Sequence, residues 1–309
     1  VNGYVCTWIF LILSGYQIGK TFLLGKYPLT RNGIGIYYKR RVLRIAPLYY
    51  VALIASYAFF HAFSSQQTYI LPYILFYATN QVLIPVTGYL WYISLQMQLY
   101  LIAPIGAVAL LWWNAQKKMP YWIPSIAILL IGVFYRIAIL QKSFPTLETI
   151  YITQMYAPLL LNLDIFFVGF FANLIVSHRI EGIEKRHNRL WLFVAYVAIL
   201  CLVLVGNGAY VTLKYDYLSI IPFQAIILPL ITCIVVGFFI TCTEDRSSQL
   251  KMNGLFFYAQ AFSPLRLFEL FGILSYGIYL FHIISIGIFD RIHPLCYTPI
   301  HIAALTIQC

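Results

Sequence analysis

Eight times between residues 5 and 289 the sequence runs apolar for the length needed to cross a bilayer, and few folds are open to such a chain. The runs fall at 5–25, 43–63, 90–113, 121–140, 157–177, 190–207, 217–242 and 271–289, and a clipped ninth begins after 295. About 20 apolar residues suffice for a helix to span the hydrocarbon. Lipid offers the backbone no hydrogen bonds, and a helix satisfies its own within each run. Composition agrees. The chain is 62% hydrophobic and only 9% charged, whereas soluble domains carry about 25% charged residues. The expectation is an all-α, polytopic membrane helix bundle, residues 1–309 forming one transmembrane domain without internal repeats or linkers. The run 69–86 is broken by Pro72, Asn80, Gln81 and Pro85, which suggests a re-entrant or interfacial segment.

The charge is as informative as the apolar runs. A formal net charge of +11 would suit a nucleic-acid binder, but the cations lie in short loops between spans and no nucleic-acid motif accompanies them. Placing 26–42, 114–120, 178–189 and 243–270 on one side gathers most of the lysines and arginines there, which assigns that side to the cytoplasm. Residue 1 is then outside. Together with the missing initiator methionine, this predicts a fragment that has lost its first helix and the end of its last. The six cysteines are scattered singly without C-x-x-C spacing, so they predict packing residues rather than disulfides or zinc ligands. No metal site is expected.

The densest cationic stretch is Lys39-Arg40-Arg41-Val42-Leu43-Arg44, followed by Ile45-Ala46-Pro47-Leu48-Tyr49-Tyr50. Arg41 and Arg44, three residues apart, share one face of a helical turn, and Pro47 would be tolerated near a first turn. Two readings stand. The cations either anchor the loop on the cytoplasmic side or seat a phosphorylated ligand.

Five phrases carry a resemblance. They are Trp8-Ile9-Phe10-Leu11-Ile12-Leu13-Ser14-Gly15, the cationic stretch running to Tyr50, Trp91-Tyr92-Ile93-Ser94-Leu95-Gln96-Met97-Gln98-Leu99-Tyr100 with Pro104, Asn162-Leu163-Asp164-Ile165-Phe166-Phe167-Val168-Gly169, and Gly272-Ile273-Leu274-Ser275-Tyr276-Gly277-Ile278-Tyr279-Leu280-Phe281-His282. In this order they resemble the acyltransferase 3 family of membrane O-acyltransferases, and the phrase Trp91 to Gln98 is also similar to that of its nose-resistant-to-fluoxetine-like branch. The resemblance implies transfer of an acyl group, often acetyl, from cytoplasmic acyl-CoA to a hydroxyl of an extracytoplasmic glycan or lipid-linked saccharide. Acyl-CoA would be a co-substrate, and no cofactor would be bound permanently. The localisation implied is a bacterial plasma membrane. The family carries its catalytic histidine on an earlier span, expected upstream of Val1. Gln96 stands where the family has an acid, and Leu161 or Asn162 where it commonly has arginine.

Under that resemblance Lys39, Arg40, Arg41 and Arg44 would bind the phosphates of acyl-CoA, since arginine forks hold such oxygens bidentately. Ser14 and Gly15 would line the donor path, unless they serve only close helix approach. Trp91, Ser94, Gln98, Asp164, Tyr276 and Tyr279 would face the acceptor or line its pocket; Trp91 could instead be a membrane-belt residue, and the two tyrosines packing residues. Asp164 could equally pair with a cation such as Arg136, because an ionised group within a bilayer needs a partner. His282, inside an apolar run, is a weak candidate base. Two other classes remain open: a secondary transporter or lipid flippase, although the broken segment 69–86 has no counterpart in the other half, and a non-catalytic relative.

Overall fold

The structure is a computed structural model that describes residues 3–60, 90–116, 120–142, 151–182, 189–215 and 217–250. Every regular element among them is helical. In chain order these are α1 (Gly3–Leu23), α2 (Arg31–Phe60), α3 (Trp91–Ala115), α4 (Ile123–Lys142), α5 (Leu163–Gly182), α6 (Arg189–Tyr215), α7 (Tyr217–Pro222) and α8 (Leu228–Leu250). A π turn, Ile152–Tyr156, and a 3-10 turn, Leu159–Leu161, precede α5, and a second π turn, Phe223–Ile227, joins α7 to α8. Helices thus occupy the first seven apolar runs. Three of them, Trp91–Ala115, Ile123–Lys142 and Ile220–Cys242, are long and apolar enough to cross a membrane by length and composition. The runs 271–289, after 295 and 69–86 lie outside the described residues.

One expectation needs correction. The sequence places 26–42 in a loop and Pro47 near a first turn, but α2 starts at Arg31 and carries Pro47 in its interior. The start is set by local chemistry that an apolar-run reading does not see. Thr30 caps the helix, its hydroxyl accepting the Gly33 N–H at 3.2 Å. Just before it, α1 ends on Gly25 at φ 69°, with Gly25 N–H bonded to the Phe22 carbonyl and Lys26 N–H to the Thr21 carbonyl. This pairing of the last orphan carbonyls requires the left-handed residue that glycine supplies. The basic stretch is therefore helical throughout.

The core is built on α1 against α5, with α3 and α8 beside α1. A Cβ on Gly15 would collide with the Phe166 carbonyl, and one on Gly169 with the Ile12 carbonyl. Small residues here let two backbones touch, as in close membrane helix pairs. Asn173 on α5 locks the crossing, donating to the carbonyls of Tyr16 and Phe170, both at 2.9 Å. The outward faces are apolar: Leu101, Ile105 and Val108 on α3, Ile131 and Phe134 on α4, and Phe193, Leu200 and Leu204 on α6 are all exposed. Such belts suit contact with lipid.

Candidate active site

A proline begins the site. Pro104 lies inside α3 and has no N–H to give the carbonyl four residues back, that of Tyr100. The Tyr37 hydroxyl of α2 donates to that carbonyl at 3.0 Å, and its neighbour Tyr38 donates to the Leu101 carbonyl at 2.8 Å. The break in one helix thereby docks the other. Tyr37 is fully buried, among the rings of Phe22 and Tyr27.

Four residues beyond Tyr37, hence on the same face of α2, Arg41 follows it inward. Its guanidinium lies 5.6 Å from the Tyr37 ring centroid and 5.4 Å from that of Tyr100, within range of cation–π attraction. Its Nε is buried without a hydrogen-bond partner among the described residues. Lys39, Arg40 and Arg44 are exposed, and Arg40 reaches only the Tyr27 hydroxyl, at 3.5 Å. The expected pair, Arg41 and Arg44, is thus divided between an inward and an outward position.

Beside Arg41 three polar side chains meet between α1 and α3. The Ser14 and Tyr100 hydroxyls are 2.9 Å apart, and the Gln96 amide nitrogen donates to Tyr100 at 2.5 Å and to Ser14 at 3.4 Å. Gln96 and Tyr100, four apart, share the face turned to α1. Ser94 and Gln98 lie about 200° round the helix from them; Ser94 is fully buried and Gln98 half-buried. Gly15, next to Ser14, faces the α5 backbone instead. Tyr100 and Tyr37 were not singled out from sequence. Their signals were there: Tyr100 is four residues before a helix proline and four after Gln96, and Tyr37 is four before Arg41.

A second polar group joins α4 to α5. Arg136 holds Asp164 bidentately, Nη1 to Oδ2 at 2.5 Å and Nη2 to Oδ1 at 2.9 Å, and gives Nη2 also to the Leu161 carbonyl at 2.5 Å. Arg136 is 3% exposed and Asp164 5%, so the pair is internal. Gly132 leaves the space that the carboxylate fills. The pairing expected as one of two roles for Asp164 is present. Asn162 bonds through its amide nitrogen to the carbonyls of Tyr156 and Pro158 at 2.7 and 2.9 Å, while its oxygen is buried without a partner among the described residues.

Tyr156 in turn gathers aromatic rings: Tyr4 at 4.3 Å, Trp91 at 4.7 Å and Trp8 at 5.7 Å between centroids. Trp91, Tyr4 and Asp164 all open their helices, so this cluster marks the end of the bundle where α1, α3 and α5 begin. Tyr276, Tyr279 and His282 lie outside the described residues.

The model of a family described as an acyltransferase domain, acyltransferase 3, matches residues 1–305 of the chain. No curated protein and no solved structure matches it.

Proposed function

The chain belongs to the acyltransferase 3 family, whose members are membrane proteins, and from that premise we propose that it moves an acyl group, in the first instance acetyl, from acyl-CoA to a hydroxyl of a glycan or lipid-linked saccharide. Acyl-CoA enters from the basic, cytoplasmic side, the acceptor from the opposite side, and the membrane is the bacterial plasma membrane. The eight-span bundle expected from sequence is the scaffold for this division.

The observation that carries the reading is the position of Arg41. A half-buried guanidinium, with a buried donor nitrogen to spare, stands beside a hydroxyl–amide triangle between α1, α2 and α3. A topological anchor would have no use for burial. A guanidinium in a dry setting binds phosphate or carbonyl oxygen more strongly than one in water. Lys39, Arg40 and Arg44, exposed on the same helix, add attraction for the phosphates of the donor. At the other end Trp91 offers the acceptor an aromatic face, and Tyr276 and Tyr279 are the further candidates from sequence. For the general base that takes the acceptor proton, His282, outside the described residues, is the sequence's weak candidate.

The test is labelled acetyl-CoA supplied to the protein in sealed vesicles with a saccharide acceptor. Label passing to the saccharide, with coenzyme A released, is the expected result. Binding of acetyl-CoA without release would make the chain a non-catalytic relative, and solute uptake without acyl consumption a transporter.

A further inference from the structure

Tyr100 is held from three directions, and two of them come from α2. Its hydroxyl belongs to the triangle with Ser14 and Gln96, its backbone carbonyl accepts from the Tyr37 hydroxyl at 3.0 Å, and its ring lies 5.4 Å from the Arg41 guanidinium. The carbonyl is open to Tyr37 because Pro104, four residues on, brings no N–H. The proline ring also crowds that carbonyl and turns it off the helix axis, toward whatever packs there. The bond is buried, and lipid could not replace a lost partner. Tyr38 repeats the contact one residue on, its hydroxyl donating to the Leu101 carbonyl at 2.8 Å.

From these contacts we infer that Tyr37 is the positioning residue for Arg41. Of the described helices, α3 is the one that α2 meets most, and a hydroxyl bonded to a single buried carbonyl fixes where along α3 it sits. Arg41, four residues beyond Tyr37 and on the same face, is delivered to the Tyr100 ring by that register. A slip of α2 by one residue would turn this face through about 100° and carry Arg41 off both rings. Cation–π attraction does not choose the register by itself, since several tyrosines offer rings here and Arg40 takes that of Tyr27 at 5.7 Å. A hydrogen has only one carbonyl to go to. Resting on the acyl-transfer reading above, Tyr37 then acts on the affinity for the donor through Arg41, without touching the donor.

Tyr37→Phe keeps the ring and removes only the hydroxyl. Alone it also strands a buried carbonyl, so it is compared with Tyr37→Phe/Pro104→Ala, in which the N–H of residue 104 returns to the Tyr100 carbonyl. The experiment takes the full chain in vesicles, modifies its arginines with phenylglyoxal, and reads Arg41 against the exposed Arg44 by peptide mass spectrometry, with no ligand present. Thermal unfolding in detergent and the KM for acetyl-CoA are measured on the same variants. The ratio of Arg41 to Arg44 modification is expected to rise about fivefold in both variants, the worth of one net hydrogen bond, and KM to rise with it. Stability is expected to fall in Tyr37→Phe and to return in the double variant. A modification ratio unchanged from wild type overturns the inference. So does a double variant that recovers the wild-type ratio along with its stability, because the hydroxyl would then serve only to fill a carbonyl. A double variant no more stable than Tyr37→Phe overturns the accounting at Pro104 on which the inference is built. If the ratio rises and KM does not, Arg41 is set by Tyr37 as inferred, and it is the role of Arg41 in binding acyl-CoA that falls.

Discussion

Among the four cations of the basic stretch, surroundings decide function more than spacing does. Arg41 is seated against Tyr37 and Tyr100, and Arg44 is exposed one turn on. Arg41→Ala is expected to raise KM for acetyl-CoA at least about tenfold, the loss of one charge-assisted contact, while Arg44→Ala changes it far less because exposed charges are screened. Arg41→Lys should not restore the wild-type value, since an ammonium lacks the planar fork that stacks on two rings. Steady-state kinetics on the three variants decides it; equal effects at both positions would return the pair to a single electrostatic role. The Arg136–Asp164 pair makes a different demand. Arg136→Met leaves a buried carboxylate alone and should cost about 3–5 kcal/mol, whereas Arg136→Met with Asp164→Leu should recover most of it. Thermal unfolding in detergent reads both. The partner of Asp164 could be named from sequence because so few ions lie within spans; Tyr100 could not, since a tyrosine in a membrane helix is common and only its hydrogen bonds distinguish it.

At the scale of the helix, close approach governs. Gly15 and Gly169 sit where α1 and α5 meet backbone to backbone, and Gly237 on α8 has open space where its Cβ would be. Gly15→Val should therefore destabilise by about 3 kcal/mol or more, the neighbour being an unyielding carbonyl rather than a side chain. Gly237→Ala should be neutral or stabilising by up to about 1 kcal/mol through helix propensity. Melting in detergent separates the two, and equal losses would mean the crossing is looser than it stands. Hydropathy found the helices because each of the first seven apolar runs, those among the described residues, is helical; it missed the start of α2 by twelve residues, 43 against Arg31, because a cap at Thr30 and a glycine at 25 carry no hydropathy. The same blindness hid the site: Pro104, Tyr37 and Arg41 come together through a missing N–H, a signal of hydrogen-bond accounting and not of polarity.

Across the whole molecule the two polar groups lie at different levels, and this arrangement bears on direction of transfer. The ring cluster of Tyr4, Trp91 and Tyr156 stands at the end where α1, α3 and α5 begin, and the triangle with Arg41 lies deeper, near the midpoint of α1. Ser14 is nine residues from the end of α1 at Leu23, about 14 Å of helix rise, so under the proposed acyl transfer a donor entering from the basic side would have to insert its acyl arm before reaching it. A single orientation of the protein then accepts donor from one side alone. Inside-out vesicles, which on the orientation expected from sequence present the basic loops to the medium, should consume added acetyl-CoA directly. Right-side-out vesicles should do so only after permeabilisation. The exposed Lys39, Arg40 and Arg44 should make the KM of the inside-out preparation rise with salt, as attraction at the mouth is screened over a Debye length of about 8 Å at physiological ionic strength. Equal use of external acetyl-CoA by both intact preparations would show that the bundle admits its donor from either face, and the basic loops would then have no part in delivering it.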